Sequence, residues 1–197
     1  MDFSVKPSRL VVLSQADMAA AKHFADLRTQ DSYPDTGQTQ HLNLYRQILA
    51  GALVELAAYR HLPHCPPPDL NYYPPKDKSW RSDFTYGEYA LSCKGQWVSA
   101  AKRFGMSWTY QYNSNVGRRD SGLDAPEGLQ IFGIVKDEDP RYVAIKAIVF
   151  SKDIIPSHLE LPQLEHLQKY KRCIYYSRLD ESIKKGVVRD LKFLHTP

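Results

Sequence analysis

The sequence predicts a layered α/β domain, on the border with α+β, in which helices come first and a mostly antiparallel or mixed sheet follows. Apolar residues recur at helical spacing between residues 14 and 61, whereas residues 82–150 hold short runs rich in Ile, Val, Phe and Tyr. The chain has 197 residues, of which 43% are hydrophobic and 24% charged. These values suit one globular domain. We therefore expect a single domain over 1–197, with C-terminal elements in 156–192.

Two helices are predicted before the strands. Ser14 is a good N-cap for a helix over Gln15–Thr29. A second helix runs from Gln38 to His61 and is stopped by Pro63. The segment Asp31–Gly37 between them is rich in turn-forming residues.

The strand signals fall into two hairpins and two further strands. The first hairpin turns at Gly87 and Glu88, and the second turns in the DEDP sequence. The predicted strands are Ser82–Tyr86, Tyr89–Gly95, Trp108–Tyr112, Leu129–Lys136, Tyr142–Phe150 and Cys173–Tyr176. Residues 156–171 and 180–192 are predicted to form short helices.

Charge is distributed in blocks along the chain. Residues 76–119 and 166–197 each carry eight basic and three acidic side chains, whereas residues 120–165 carry four basic and nine acidic ones. The first basic block is interleaved with tryptophan and tyrosine, a composition that suits a phosphate-lined surface with stacking groups. A solvated surface whose aromatic residues belong to the core is the alternative. The predicted nucleic-acid-binding residues are Lys78, Arg81, Lys102, Arg103, Arg118 and Arg119.

The sequence also indicates where the protein acts. No apolar stretch approaches the ~18 residues that a membrane span needs. The N-terminus has an acid at position 2 and only a short apolar patch, unlike a signal peptide. Three cysteines, an odd number, favour a reducing compartment. We expect a cytoplasmic protein with no membrane partner.

Three polar residues stand where apolar ones would be expected. Glu55 lies in line with the apolar stripe of the second helix, although it could also sit at the edge of that stripe and pair with Arg46 or Arg60. Asp83 opens the first strand, where the alternative is a turn cap. Lys94 follows across the hairpin, in the strand sequence Ser-Cys-Lys-Gly-Gln.

Alternation along this strand separates its side chains. Ser92, Lys94 and Gln96 project to one face, and Leu91 and Cys93 to the other. A lysine beside a carboxylate can help to deprotonate a water molecule, and two carboxylates can hold a hard divalent ion.

The order of these features resembles the core of the PD-(D/E)xK nuclease superfamily, which has the restriction-endonuclease-like fold. The resemblance covers residues 40–115 and is carried by GALVELAAYRHL at the end of a helix, SDF at the start of a strand and LSCKGQ after the hairpin. It implies a mixed sheet of about five strands flanked by helices. It also implies an endonuclease that hydrolyses DNA phosphodiester bonds with Mg²⁺, for which Mn²⁺ could substitute, and that works as a homodimer by analogy.

The resemblance implies a role for each matching residue. Glu55, Asp83 and the main-chain carbonyl of Cys93 would hold the metal. Lys94 would orient or activate the attacking water. Gln96 would lie near the scissile phosphate, which completes a predicted catalytic set of Glu55, Asp83, Lys94 and Gln96.

Ser92 departs from the family pattern, because it stands where an aspartate or glutamate is usual. A serine hydroxyl is a poor ligand for Mg²⁺. Glu55 could supply the missing charge, Glu88 could contribute from the turn, or the site could be degenerate. The last outcome describes a nucleic-acid-binding protein on the same fold, and a subunit that binds an acidic protein partner is a third class of function.

Overall fold

The computed structural model describes residues 10–30, 41–62, 64–71, 84–113, 118–119, 127–154, 156–169 and 171–179. The strands in these ranges are β1 Leu10–Val12, β2 Phe84–Tyr86, β3 Tyr89–Trp97, β4 Ser107–Asn113, β5 Arg118–Arg119, β6 Gly128–Val135, β7 Tyr142–Phe150, β8 Leu159–Glu160 and β9 Lys171–Tyr175. The α-helices are α1 Gln15–Gln30, α2 His41–His61, α3 Val98–Phe104 and α4 Glu165–Gln168. Within these ranges, none of the helices is long and apolar enough to cross a membrane.

The first sheet has five strands in the order β1-β7-β6-β3-β2. Strands β3 and β6 are parallel and the other pairs are antiparallel, so the sheet is mixed. Both predicted hairpins are confirmed as β2–β3 and β6–β7. The predicted class, a mixed α/β protein with a five-stranded sheet flanked by helices, is therefore confirmed.

The membership of that sheet differs from the prediction. The strand predicted at Trp108–Tyr112 forms, as β4, but it belongs to a second sheet with the order β5-β4-β9-β8. The chain leaves β3 through α3 and returns across the face of the first sheet, where Trp108 stacks on Phe132 at 4.5 Å between ring centroids. The fifth strand of the first sheet is β1, which the sequence analysis missed because it has three residues and two of them are exposed.

The predicted helical stretch 156–171 is broken up. It contains a single turn of 3₁₀-helix at Pro156–His158, strand β8 and the four-residue α4. Pro162 removes a main-chain donor that a continuous helix would need, and its ring would clash with the preceding turn. Residues 180–192 lie outside the described residues.

The two faces of the first sheet pack against different layers. Helices α1 and α2 cover one face, and α2 approaches β3 and β6 closely because both strands have a glycine at the contact. A Cβ at Gly95 would overlap the carbonyl of Ala50, and one at Gly133 would overlap the Val54 side chain. The second sheet and α3 cover the other face, where Phe132 is buried. Side chains along β3 therefore point alternately to the helices and to the second sheet, as predicted.

The start of α1 confirms the predicted cap. The Ser14 hydroxyl accepts a bond from the Asp17 main-chain N–H at 3.1 Å, and Asp17 Oδ2 accepts bonds from the Ser14 N–H and hydroxyl. Arg60 of α2 donates to the same carboxylate at 2.9 Å. Burial raises the pKa of Asp17, but the bonds from Arg60 and Ser14 outweigh it, so that the pKa lies below its ordinary value of 3.8.

Replacing Asp17 by Asn should lower the free energy of unfolding by about 1–3 kcal/mol at pH 7, because the cap and the bond to Arg60 are weakened. A lowered folded-state pKa contributes stability above the unfolded pKa of about 3.9, and this contribution is lost as the pH falls further. Urea unfolding at pH 7 and pH 3 measures the difference between the two proteins, which should shrink at pH 3. The exposed Asp26 on the same helix gives the control, Asp26→Asn. A difference that is the same at both pH values would contradict the prediction.

Candidate functional site

Lys94 lies half-buried on β3 and faces the second sheet. Its ammonium nitrogen is 5.0 Å from the centroid of the Tyr110 ring, which is buried. The Tyr110 hydroxyl donates to Gln130 Oε1 at 3.1 Å, and Gln130 Nε2 donates to the Ser151 hydroxyl at 2.9 Å. This buried chain of hydrogen bonds fixes the ring that supports the Lys94 charge.

Gln96 is two residues further along the same face, and its carboxamide binds main-chain groups. Its Oε1 accepts a bond from the Ser107 N–H at 2.9 Å, and its Nε2 donates to the Gly105 carbonyl at 3.1 Å. Gly105 has a φ of 78°, a conformation that favours glycine. The Gln96 side chain therefore holds the connection between α3 and β4 in place.

The main-chain carbonyl of Cys93 faces the outer edge of β3. The Ala90 N–H donates to the Glu127 carbonyl on the side of β6. Main-chain groups of successive residues point to opposite sides of a strand, so those of Cys93 and Gly95, an odd number of residues from Ala90, point to the side on which β2 lies. In the described residues the pairing of β2 with β3 extends no further than Leu91. The Cys93 side chain is buried towards the helices.

Glu55 is half-buried on α2. Helix α2 runs antiparallel to β3, because the Trp97 indole donates to the Arg46 carbonyl and Ala50 lies against Gly95. Gly95 and Cys93 are two strand residues apart, about 6.6 Å. Glu55 follows Ala50 by more than one helical turn, so it lies close to the level of Cys93.

The side of α2 on which Glu55 lies is given by its neighbours. Val54 lies against Gly133 of β6, whereas Gly51 lines a pocket at the outer edge of β3. Residues four apart share a helix face, so Glu55 lies on the side of Gly51, about 6 Å further along the helix axis. The two arginines proposed as partners form other ion pairs, Arg46 with Asp137 and Arg60 with Asp17.

Glu55 and Lys94 thus lie on opposite faces of the first sheet. Helix α2 covers one face, and Lys94 points to the second sheet on the other. The outer edge of β3 is the part of the sheet that both can approach. Ser92 shares the face of Lys94 and is 4% exposed, beside Gln130 of β6.

The remaining acidic and N-terminal basic residues of the predicted site lie outside the described residues or far from the β3 edge. Asp83, Lys78 and Arg81 lie outside the described residues, and Asp83 immediately precedes β2 in the sequence. Glu88 is in the turn between β2 and β3, six residues from Lys94, or about 20 Å along the strand. That distance separates Glu88 from the edge where Lys94 and Cys93 lie.

A pocket of about 340 Å³ opens at this edge of β3. One side is formed by Gln47 and Gly51 of α2, the floor by β3 from Cys93 to Trp97, and the other side by β4, β9 and the segment 162–167. Lys94 and Gln96 both line the pocket. The sequence analysis missed Gly51, although a glycine inside a helix is itself a signal of close approach or open space.

The second sheet brings basic residues together. Arg118 and Arg119 form β5, beside Asn113 and Tyr112 of β4. On the other side of β4, strand β9 contributes Lys171 and Arg172. The guanidinium of Arg172 lies 4.3 Å from the centroid of the Tyr112 ring.

Helix α3 carries the other predicted basic residues. Lys102 and Arg103 are exposed there, and the Arg103 guanidinium is 4.9 Å from the centroid of the Phe104 ring. Basic side chains that rest on aromatic rings keep their charge available to a phosphate.

Among the described residues, no group of three or more His, Cys, Asp or Glu side chains is placed to hold a metal ion. Comparisons of the chain with family models, curated proteins and solved structures gave no match. The function is therefore inferred from the residues of the β3 edge and the second sheet.

Proposed function

We propose that the protein is a divalent-metal-dependent nuclease, an endonuclease that hydrolyses phosphodiester bonds in DNA. The observation that carries the proposal is the position of Lys94. It is held on the Tyr110 ring, it lines a pocket, and it lies at the strand edge where the Cys93 carbonyl points. Helix α2 brings Glu55 towards the same edge.

The donors at this edge suit Mg²⁺, with Mn²⁺ as a substitute. The Glu55 carboxylate and the Cys93 carbonyl supply oxygen, the ligand type that hard divalent ions prefer. Asp83 supplies the second carboxylate in this proposal, by its resemblance to the family aspartate. These residues would hold the ion, which would supply polarisation of the phosphate and a lowered pKa of a bound water.

Lys94 contributes a fixed positive charge to the reaction. The Tyr110 ring and the Phe132 side chain, which is beside it on β6, are among its neighbours. A positioned cation in such surroundings stabilises negative charge that develops on the phosphate more than it would in water. Lys94 also orients the attacking water in this proposal.

In this proposal the flanking phosphates are bound by Lys102 and Arg103 of α3, Arg118 and Arg119 of β5 and Arg172 of β9, whereas Lys171 is buried. Phosphate contacts by lysine and arginine make affinity fall steeply with salt concentration. These basic residues lie on elements other than β3. Replacing them should therefore weaken DNA binding without changing the rate of the reaction at the β3 edge. Salt sensitivity and metal dependence can therefore be measured separately.

The test is a cleavage assay on plasmid and single-stranded DNA with Mg²⁺, with Mn²⁺ and with EDTA. We expect cleavage with either metal, no cleavage in EDTA, and none by Asp83→Ala, which should still retain DNA in a salt-sensitive manner. Asp26→Ala, at an exposed position of α1, is the control. Cleavage that persists in EDTA, or cleavage by Asp83→Ala at the wild-type rate, would contradict the proposal.

Ser92 favours one alternative, a nucleic-acid-binding protein without catalysis on the same fold. Its buried hydroxyl stands in the position where the family has an acid, on the face of Lys94. This alternative expects salt-sensitive DNA binding by the wild type with no cleavage under any metal condition. The same assay decides between the two.

A further inference from the structure

The pocket beside Lys94 has more room than a phosphate or a metal ion needs. Its volume of about 340 Å³ lies at the lower end of the range for small-molecule pockets, about 300–1,000 Å³. Large apolar and aromatic side chains form much of its wall, including Trp97, Phe104, Leu164, Leu167 and Tyr175. Such a wall suits a flat organic group.

The rest of the lining is polar but almost uncharged. Gln47, Gln163 and Thr109 are exposed at the rim and offer amide and hydroxyl groups. Burial raises the pKa of Cys173 to about 11, so this lining residue is a neutral thiol at pH 7. Among the described residues that line the pocket there is no acid, and Lys94 carries the one formal charge.

These properties match the two parts of a nucleotide. A nucleobase is flat, uncharged and polar at its edges, and it is bound in proteins by stacking and by amide groups. A phosphate carries the charge that Lys94 would attract. We propose that the pocket binds one unpaired nucleobase of the DNA, with the adjoining phosphate at Lys94.

A pocket for an unpaired base specifies the substrate of the nuclease, and this part of the inference rests on the proposed function. A base inside a duplex is stacked and paired, so it must leave the helix before it can enter a pocket. The enzyme would then act at positions where the base is already unpaired or is easily extruded, as in single strands, flaps and frayed ends.

Gly51 allows the pocket to be filled without disturbing its wall. A Cβ built at Gly51 has no neighbouring atom within 4 Å, so a side chain there enters open space. Gly51→Phe would occupy the pocket, whereas Gly51→Ala adds one methyl group and is the matched control. Both replace a glycine inside a helix, so we expect thermal midpoints equal to or above that of the wild type.

The first experiment measures binding without cleavage. The full chain is titrated with deoxyadenosine monophosphate and with deoxyribose 5-phosphate, which has the same phosphate but no base. We expect the nucleotide to bind about tenfold more tightly, or better, because of the base contacts. Gly51→Phe should lose this advantage and Gly51→Ala should keep it. Equal affinity for the two ligands, or equal nucleotide binding by the two variants, would overturn the proposal.

The second experiment measures cleavage of single-stranded oligonucleotides that carry one abasic residue at successive positions. An abasic residue beside the cut should lower kcat/KM about tenfold in the wild type and in Gly51→Ala, but have no further effect in Gly51→Phe. Absence of an abasic effect at every position, with equal cleavage of paired duplex, would overturn the pocket and leave the nuclease intact. Absence of all cleavage would overturn the nuclease, and the titration would still decide the pocket.

Discussion

Lys94→Met is expected to reduce the rate of DNA cleavage by about 10²–10³-fold while leaving the fold intact. Methionine keeps the length and the apolar stem of lysine but removes the ammonium group. The packing against Tyr110 should be retained, since a thioether also contacts aromatic rings favourably. The loss therefore reports on the charge, measured as the single-turnover rate at saturating protein.

The control for this variant is Lys102→Met, on the exposed part of α3. It should weaken DNA binding and lower the salt dependence of binding, but leave the rate at saturation unchanged. A Lys94→Met protein that cleaves at the wild-type rate would place the reaction elsewhere. So would a Lys102→Met protein with the larger loss of rate.

Gly95→Ala is expected to lower the free energy of unfolding by about 3 kcal/mol or more, at the upper end of the usual cost of overpacking. The added Cβ would overlap the carbonyl of Ala50 and lie 3.0 Å from the Gly51 nitrogen. Both obstacles are main-chain atoms inside α2, so the helix as a whole would have to move away from β3. Urea unfolding measures the change.

Gly51→Ala is the matched control, on the other side of the same contact. Its Cβ meets open space, so the variant should gain up to about 1 kcal/mol from the higher helix propensity of alanine. The two Gly→Ala changes should thus act in opposite directions. Changes of the same sign would show that α2 is not held against β3 in this manner.

Local patterns predicted the two long helices, α1 and α2, and both hairpins, but not the layer to which each strand belongs. The Trp108–Tyr112 signal was a correct strand in an incorrect sheet, because the alternation of buried Trp108 and Tyr110 with exposed Thr109 would be the same in either layer. Strand β1 and helix α3 have three and seven residues, too few for periodicity to distinguish them from loops.

In the candidate site, too, the features set by neighbouring residues were predictable and those set by packing between layers were not. Alternation along β3 correctly separated Lys94 and Gln96 from Cys93, since it depends on neighbouring residues. The position of Glu55 relative to Lys94, across the sheet, depends on how α2 packs and could not be read from spacing. The Gln96 amide binds the main chain of residues 105–107, a contact that depends on the turn after α3 and could not be read from spacing, and its place near the scissile phosphate stays a prediction.

The order of strands along the chain has a consequence for biosynthesis. The chain contributes β1, β2 and β3 to the first sheet, then β4 and β5 to the second, β6 and β7 to the first, and β8 and β9 to the second. The first sheet is complete only after β7 has been translated and the second only after β9, and the pocket wall extends from Gln47 to Tyr175. A nascent chain that stops before β9 has Lys94 but only part of the cavity beside it. We therefore expect the nucleotide binding proposed for this pocket only once β9 has left the ribosome.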